Sequence, residues 1–483
     1  MPIQQVLLGT GGGGIPKEYW FAILGGTTGG TTNTEGKDVA VDSQGNVYVT
    51  GRTFCTPSGV KAILIAKYSP TGTLEWQRYW GSTHSYGDEG RAITVDGSDN
   101  IYVVGIGNSG STSMSGLILK YNTSGVLQWN RNFGQSSTEP NGVDFDDNGN
   151  IYVGGKGQYS NWQFIAKFNS SGSIQWHRGF TSPKPPYRQG DNCLDIAVDR
   201  NNSAVYICGH LTTQNYKYDM TLAKYNFSGT LQWQRSLGST SAGGDFAKGI
   251  AVDSSGMVYV TGSSYQSQST NPVHPQYGQG PASYDGFILK WSSGGYMAAS
   301  NTFGGAGASD TGHRVVTDSQ NNIYVSGQSS AGLNHWAYGG NGVGTRGLIM
   351  KLTNASYSSM SSSWSNSVGN FSPGNSGSEE ATRGIAVDHQ RVGVYTVGYT
   401  DDTGPGNRNM IIAKLPTDGT KLGTYNSPHL PYASDPYGGA LDTYGYNIDY
   451  NPGFTDSSQN YGSSNPSVSS PTASLTSTTY AIP

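Results

Sequence analysis

The stretch Asp38–Gly51, DVAVDSQGNVYVTG, decides the fold. Val39, Ala40 and Val41 are apolar on both faces of an extended chain, which suits a strand covered on both sides. Asp42-Ser43-Gln44-Gly45-Asn46 is turn chemistry: a side chain that caps, then a glycine free to take positive φ. Val47-Tyr48-Val49 is β-branched and aromatic and reads as the return strand, which Gly51 ends.

The same hairpin recurs, ending at Gly105, Gly155, Gly209, Gly262, Gly327 and Gly398, so the chain holds seven copies. Their tyrosines are Tyr48, Tyr102, Tyr152, Tyr206, Tyr259, Tyr324 and Tyr395. The period is roughly 50–70 residues, in the range of propellers and repeat arrays. Each copy is followed by a third apolar strand, as in ILIAKY (Ile63–Tyr68) and FILKW (Phe287–Trp291). A short turn leads to a fourth, marked by Trp76, Trp129, Trp176 and Trp233. The fourth strand is degenerate in the fifth copy, where Tyr296–Phe303 serves, and in the sixth, where Trp364 is the candidate. The seventh copy offers only Lys421–Tyr425, but the N-terminus carries a spare: Trp20–Gly25 aligns with Trp233–Gly238.

Four strands in each of seven repeats predict an all-β, seven-bladed β-propeller of four-stranded blades. Its ring is expected to be closed by the N-terminal strand, which removes an exposed sheet edge. The hairpin, D-x-x-G-N-x-Y-V-x-G, resembles the bacterial seven-bladed propeller-repeat family over Lys17–Tyr425, with departures at Gly97–Asp99, Asn201–Ala204 and Gln390–Gly393. The resemblance implies the fold and says little of function. The expected divisions are a leader or anchor over 1–16, the propeller over 17–425, and an extended Tyr/Ser/Pro/Gly-rich tail over 426–483. That tail reads as a linker or as a segment that wraps a neighbouring subunit.

Composition narrows the function. Of 483 residues, 34% are hydrophobic and only 12% charged, with 71 Gly and 32 Tyr. The net charge of −4 points away from a nucleic-acid partner. Apolar runs are too short for a membrane span. Three cysteines make no disulfide framework, and Cys193 and Cys208 read as buried free thiols. MPIQQVLLGTGGGG lacks the basic region and apolar core of a secretory signal, so export by that route is not expected.

No catalytic, metal or cofactor site is nominated. GIGNSG (Gly105–Gly110) matches a dinucleotide fingerprint, but a strand and not a helix follows. Asp144–Gly149 resembles half a calcium loop, yet Gly155 stands where the bidentate acid belongs. Asp42 and Lys67, with their six counterparts each, fall at one rim of the blades and read as structural pairs or turn caps. Trp76 and Arg78 share a strand face, as do their equivalents, which suits stacking between blades. Trp20 would seal the ring.

The opposite rim carries the long connections. Ser263–Asp285 and Gln328–Arg346 are rich in Tyr, Ser, Gly and Asn, a palette of rigid aromatics and small polar groups that suits recognition surfaces and sugar rings. Tyr265, Tyr277, Tyr284, His335, Trp336 and Tyr338 are the candidate binding residues, unless these loops simply pack on one another or on a neighbour. Met1–Gly14 also resembles the leaders of virion structural proteins of tailed, cyanophage-like phages. The expected function is therefore a non-enzymatic virion protein of a tail, fibre or capsid surface, extracellular on the particle. Its expected partners are other virion subunits and host surface polysaccharide. The alternatives are a secreted or cell-surface propeller that binds glycans or proteins, and a polysaccharide-active propeller enzyme.

Overall fold

The computed structural model describes residues 19–25, 33–54, 61–81, 87–108, 114–134, 137–157, 162–180, 190–212, 218–238, 243–266, 283–303, 309–330, 345–368, 380–388, 393–400, 408–419, 432–433 and 476–481. The leader and Lys421–Tyr425 lie outside them.

The first strand is β1 (Trp20–Gly25). Blade one follows as β2 (Thr34–Val41), β3 (Val47–Thr53), β4 (Ala62–Tyr68) and β5 (Leu74–Trp80). Blade two is β6 (Glu89–Val95), β7 (Ile101–Asn108), β8 (Met114–Tyr121) and β9 (Leu127–Phe133). Blade three is β10 (Glu139–Phe145), β11 (Ile151–Lys156), β12 (Gln163–Phe168) and β13 (Ile174–Phe180). Blade four is β14 (Asn192–Asp199), β15 (Ala204–Thr212), β16 (Tyr218–Asn226) and β17 (Leu231–Leu237). Blade five is β18 (Asp245–Val252), β19 (Val258–Gln266), β20 (Ser283–Trp291) and β21 (Met297–Phe303). Blade six is β22 (Asp310–Thr317), β23 (Ile323–Ser329), β24 (Arg346–Ser356) and β25 (Ser359–Val368). Blade seven is β26 (Glu380–Asp388), β27 (Gly393–Thr400) and β28 (Asn409–Pro416), with β1 as its fourth strand. Within the region expected to be an extended tail, β29 (Tyr432–Ala433) pairs outside β25, and β30 (Thr476–Ala481) pairs outside β1.

The inner strands touch in sequence, and β26 touches β2, so the ring is closed. Trp20 faces Lys414 across β1 and β28, the register that Trp76 keeps with Lys67 and Trp233 with Lys224. The seventh blade thus borrows the chain's own beginning. Trp20, Ala22 and Leu24 are fully buried, in one core with Val39, Leu64 and Tyr68 of blade one and Tyr395 and Met410 of blade seven.

Neighbouring blades are held by one repeated contact at the outer edge. The indole N–H of each fourth-strand Trp donates to a carbonyl in the turn between the third and fourth strands of the next blade. The acceptors are Thr123 O for Trp76 (3.0 Å), Phe227 O for Trp176 (2.9 Å) and Ser293 O for Trp233 (3.0 Å). Trp364 reaches Thr417 O, and Trp20 reaches Pro70 O, both at 3.0 Å. The ring lies on a glycine of that turn. A Cβ at Gly125, where φ is 73°, would stand 2.8 Å from Trp76, and one at Gly229, where φ is 80°, 2.7 Å from Trp176. Only glycine meets both demands, of conformation and of space. Arg78 sits 5.3 Å from the Trp76 ring and donates to Gly125 O at 2.8 Å, so the arginines reinforce the same joint.

Asp42 caps its own turn. Its carboxylate accepts from the backbone N–H of Gln44 and Asn46, from the Asn46 side chain, and from the Tyr48 hydroxyl at 2.9 Å. Asp96, Asp146, Asp253 and Asp318 each accept the corresponding tyrosine hydroxyl. Of the expected Asp–Lys pairs, that of blade three forms, with Lys167 3.7 Å from Asp146, and Asp42–Lys67 does not. Lys67 instead lies 5.8 Å from the ring centre of its cross-strand partner Tyr48 and pairs with Glu75 at 2.9 Å. Glu75, present on the neighbouring strand of blade one, takes the Lys67 ammonium in place of the aspartate. Where the turn departs from the repeat, Asp99 takes the left-handed conformation at φ 61° in place of Gly45, and its carboxylate accepts from Ser43 of the preceding blade. Cys193 and Cys208 are buried and free.

Closure by β1 predicts that Trp20→Ala lowers stability by about 3–5 kcal/mol, the usual cost of emptying a large buried aromatic site. Urea unfolding checks it. A variant with the wild-type midpoint would mean that the first strand does not seal the ring.

Candidate functional site

Every inner strand contains a β-bulge at the same place. The register slips between Gly36 and Asp38, Gly90 and Ala92, Pro140 and Gly142, Cys193 and Asp195, Ala247 and Gly249, Gly312 and Arg314, and Thr382 and Gly384. The slip pushes a carbonyl of the first strand onto the second. A Cβ at Gly51 would lie 1.9 Å from Glu35 O, and one at Gly209 1.9 Å from Asn192 O. This is the physical reason for the glycine that ends each repeat hairpin. The unpaired residues of the seven bulges are Lys37, Arg91, Asn141, Leu194, Lys248, His313 and Arg383, which form a ring around the channel mouth on the long-connection face.

One arc of that mouth is an ionic chain of alternating sign. Arg408 and Arg52 each reach Glu35 at 2.7 Å, and Lys37 bridges Glu35 (3.2 Å) and Glu89 (3.0 Å). Arg91 continues to Glu139 at 2.8 Å, which Lys156 also meets at 3.0 Å. Burial alone would raise the Glu35 carboxyl, but Lys37, Arg52 and Arg408 outweigh it and hold it at about 2. Glu89 and Glu139 are likewise held below the usual carboxylate range by their cations, against burial.

Below the mouth, Arg314 of blade six spans the bore. Its guanidinium bonds Asp195 of blade four, Asp38 of blade one at 3.4 Å and Asn141 O of blade three at 3.3 Å. Asp38 and Asp195 also accept the backbone N–H of Ile93 and Ile250 in the blades that follow them. Burial pushes Asp38 up to about 6, with Arg314 opposing, and raises Asp195 for the same reason.

The same face carries an aromatic row on blades four and five. Here the middle strands run nine residues, with Thr212 paired to Tyr218 and Tyr265 to Tyr284 at their outer ends. Ser263–Gln266 and Ser283–Asp285, expected within a loop, are therefore strand, because the hairpin ladder continues past the repeat motif. His210 meets Tyr218 edge-on at 5.0 Å and Phe246 at 4.9 Å. Phe246 continues to Tyr284 at 6.3 Å, and Tyr284 to Tyr265 at 5.1 Å. All five are half-buried. Glycines support the row from beneath: a Cβ would stand 1.9 Å from Tyr265 at Gly243, 2.9 Å from Phe246 at Gly244 and 2.7 Å from Tyr218 at Gly190. Burial lowers His210 to about 4, with Lys248 adding to the effect, so the imidazole is neutral.

Of the candidate binding residues, Tyr265 and Tyr284 are brought together in this row. Tyr277, His335, Trp336 and Tyr338 lie outside the described residues. His210, Tyr218 and Phe246 were missed by motif reading, because they lie on strand ends beyond the repeat. Continued β-branched and aromatic alternation past Gly209 and before Thr221 was the available signal. Among the described residues, no group of three or more His, Cys, Asp or Glu could hold a metal ion. Nor is any helix there long and apolar enough to cross a membrane.

A β-propeller repeat family model matches residues 20–53, 128–158, 232–266 and 303–334, and over those stretches the chain is similar to that family. No curated protein sequence matches it. Among solved structures it is similar to the Kuenenia stuttgartiensis hydrazine synthase, with 11% identity over 80% of this chain and 98% of that one and a TM-score of 0.46. Polysaccharide lyase Uly1 gives 10% identity over 79% and 90%, with a TM-score of 0.46. The β-propeller domain of the Trilobed protease from Pyrococcus furiosus gives 8% over 82% and 99%, with a TM-score of 0.43. Such distant likenesses transfer no chemistry.

The Glu35 cluster predicts an acid-side stability loss. Its folded pKa of about 2 lies below the ordinary value of 4.5, so its contribution is present above pH 4.5 and fades as pH falls toward 2. Asp38 and Asp195, raised in the fold, act in the opposite sense, so the quantity to read is the difference between wild type and Glu35→Gln. That difference is expected to be on the order of 2 kcal/mol at neutral pH, allowing for screening at the open mouth, and to vanish near pH 2. Urea titrations across the range check it.

Proposed function

We propose that the protein is a non-enzymatic adhesion module that offers its long-connection face to a surface glycan, carried on a virion as a tail, fibre or capsid-surface component. The aromatic row is the observation that carries the recognition reading. Sugar rings bind on flat apolar faces flanked by hydrogen-bonding groups, and aromatic rings preset by their scaffold lose little freedom on binding. His210, Tyr218 and Phe246 pack as a triangle that Tyr284 and Tyr265 extend, so two blades together supply a cluster of such rings.

The chemistry of the mouth supports binding over turnover. A general acid needs a carboxyl raised toward neutrality and free to reach a substrate, whereas Glu35, Glu89 and Glu139 are held low by cations and the raised Asp38 and Asp195 are tied to Arg314 inside the bore. Arg314 and its aspartates bar the bore, so the open surface, not the channel, is where a ligand rests. The virion placement rests on our reading of Met1–Gly14 as a phage-type leader and on the low charge of a Tyr-, Ser- and Gly-rich chain. A secreted or cell-surface propeller is the alternative location for the same binding face.

One group favours a second reading, a polysaccharide-active enzyme. Burial and the nearby Asp310 push Asp285 up to about 7, the range of a working general acid.

Mass spectrometry of purified particles and of secreted medium is expected to find the chain in the particles. Recovery from medium alone would move it to the cell surface or secretome. On host polysaccharide, Phe246→Ala or Tyr284→Ala is expected to weaken binding by about 1–3 kcal/mol each, the scale of a lost interface aromatic. Chain-length analysis of the polysaccharide after incubation is expected to show no cleavage. Cleavage abolished by Asp285→Asn would establish the enzyme instead.

A further inference from the structure

The seven bulge residues are not treated alike. Lys37 and Arg91 each meet two glutamates in the ionic arc. On the other arc, Lys248, His313 and Arg383 occupy the same position on three successive inner strands, β18, β22 and β26. Among the described residues no carboxylate pairs with any of them. Lys248 has no hydrogen-bond or ion-pair partner there, and burial together with Arg383 lowers it to about 8. The Arg383 guanidinium contacts the His313 ring at 3.2 Å and lies 5.7 Å from the Tyr399 ring centre, and its buried Nε has no partner. His313, which bonds Gln328 at 3.1 Å, is held well below its ordinary value by burial and by Arg383 and Lys248, so it is neutral and offers no countercharge.

Unpaired, partly desolvated cations are costly, and in this protein the chemically equivalent positions across the channel are neutralised by acids. The arc also adjoins the aromatic row. Lys248 lies two residues along β18 from Phe246, and its charge is felt by His210. The cationic arc therefore begins two residues from the aromatic cluster.

We propose that Lys248, His313 and Arg383 form a subsite for the carboxylate or sulfate of an acidic polysaccharide whose sugar rings lie along Tyr218, Phe246 and Tyr284. The guanidinium and ammonium donate to the anion, and the neutral His313 ring, its N–H held by Gln328, lines the subsite between them without a countercharge. This inference rests on the glycan reading of the aromatic row for its sugar half. The anion half stands on the arc alone.

The test uses the full chain and three probes: oligogalacturonate, its methyl ester, and inorganic sulfate. Calorimetry is expected to show oligogalacturonate bound at least about tenfold more tightly than the ester. Lys248→Met with Arg383→Met is expected to erase that preference while keeping ester binding. Lys248→Arg is expected to keep the preference, which separates lost charge from misfolding. Phe246→Ala is expected to weaken both sugars. Sulfate, followed by the His313 ring signals in NMR, is expected to shift wild type and not the double Met variant. Equal binding of acid and ester by wild type, or a preference that survives in the double Met variant, overturns the acidic-polysaccharide assignment. If neither sugar binds but sulfate does, the glycan reading falls and the anion subsite stands. If sulfate shifts nothing, the subsite itself is refuted. Polyglutamate bound with the same Lys248 and Arg383 dependence, and no sugar bound, would replace the sugar with an acidic peptide.

Discussion

The ring depends on an indole resting on a glycine turn. Each blade's outer strand ends its reach in the neighbouring blade, where the Trp N–H finds a backbone carbonyl and the ring finds a turn without a Cβ. Blades of a propeller bury little of themselves alone, so stability lies in these joints. Trp20 makes the same joint to Pro70 from the far end of the chain, which is how a linear repeat becomes a closed object. Blade five departs: Ala299 stands opposite Lys290 where other blades have Trp. There Lys290 does the joining, through the side chain of Asn354 and through Ser356 O at 2.7 Å.

The bulge is the second constraint, and it links fold to site. It costs each blade a glycine and gives each an unpaired residue at the channel mouth. The scaffold therefore presents seven variable positions in a ring without disturbing a single blade core. Blades one to three fill theirs with residues that bond into the network around Glu35, Glu89 and Glu139. Blades five and seven leave theirs cationic, with the neutral His313 of blade six between them, beside the lengthened, aromatic hairpins of blades four and five. The asymmetry of an otherwise sevenfold object is concentrated in that quadrant.

Much of this was legible in the chain. Repeat number, strand order, the capping aspartates and the borrowed first strand all follow from local patterns: turn residues, alternation and a Trp motif out of place. The Asp–Lys pairing held in blade three and not in blade one, because nearness at one rim says nothing of competition from neighbours such as Glu75. The turn amides and Tyr48 hold the Asp42 carboxylate, and the cross-strand register sets Lys67 over a ring. The aromatic row was half legible. Tyr265 and Tyr284 stood out in a long connection, whereas Phe246 and His210 looked like ordinary strand ends, one in each of two repeats.

Sequence alone settled what each blade is, since a hairpin's turn, strands and caps are written within a few tens of residues. Which side chains of different blades meet was settled only by closing the ring. Arg314 lies 276 residues from Asp38 and 119 from Asp195, and only curvature brings them across one bore. The same closure sets Lys248, His313 and Arg383 side by side, because a shared bulge position on adjacent inner strands converges on the axis, and convergence is a property of the ring and of no single repeat.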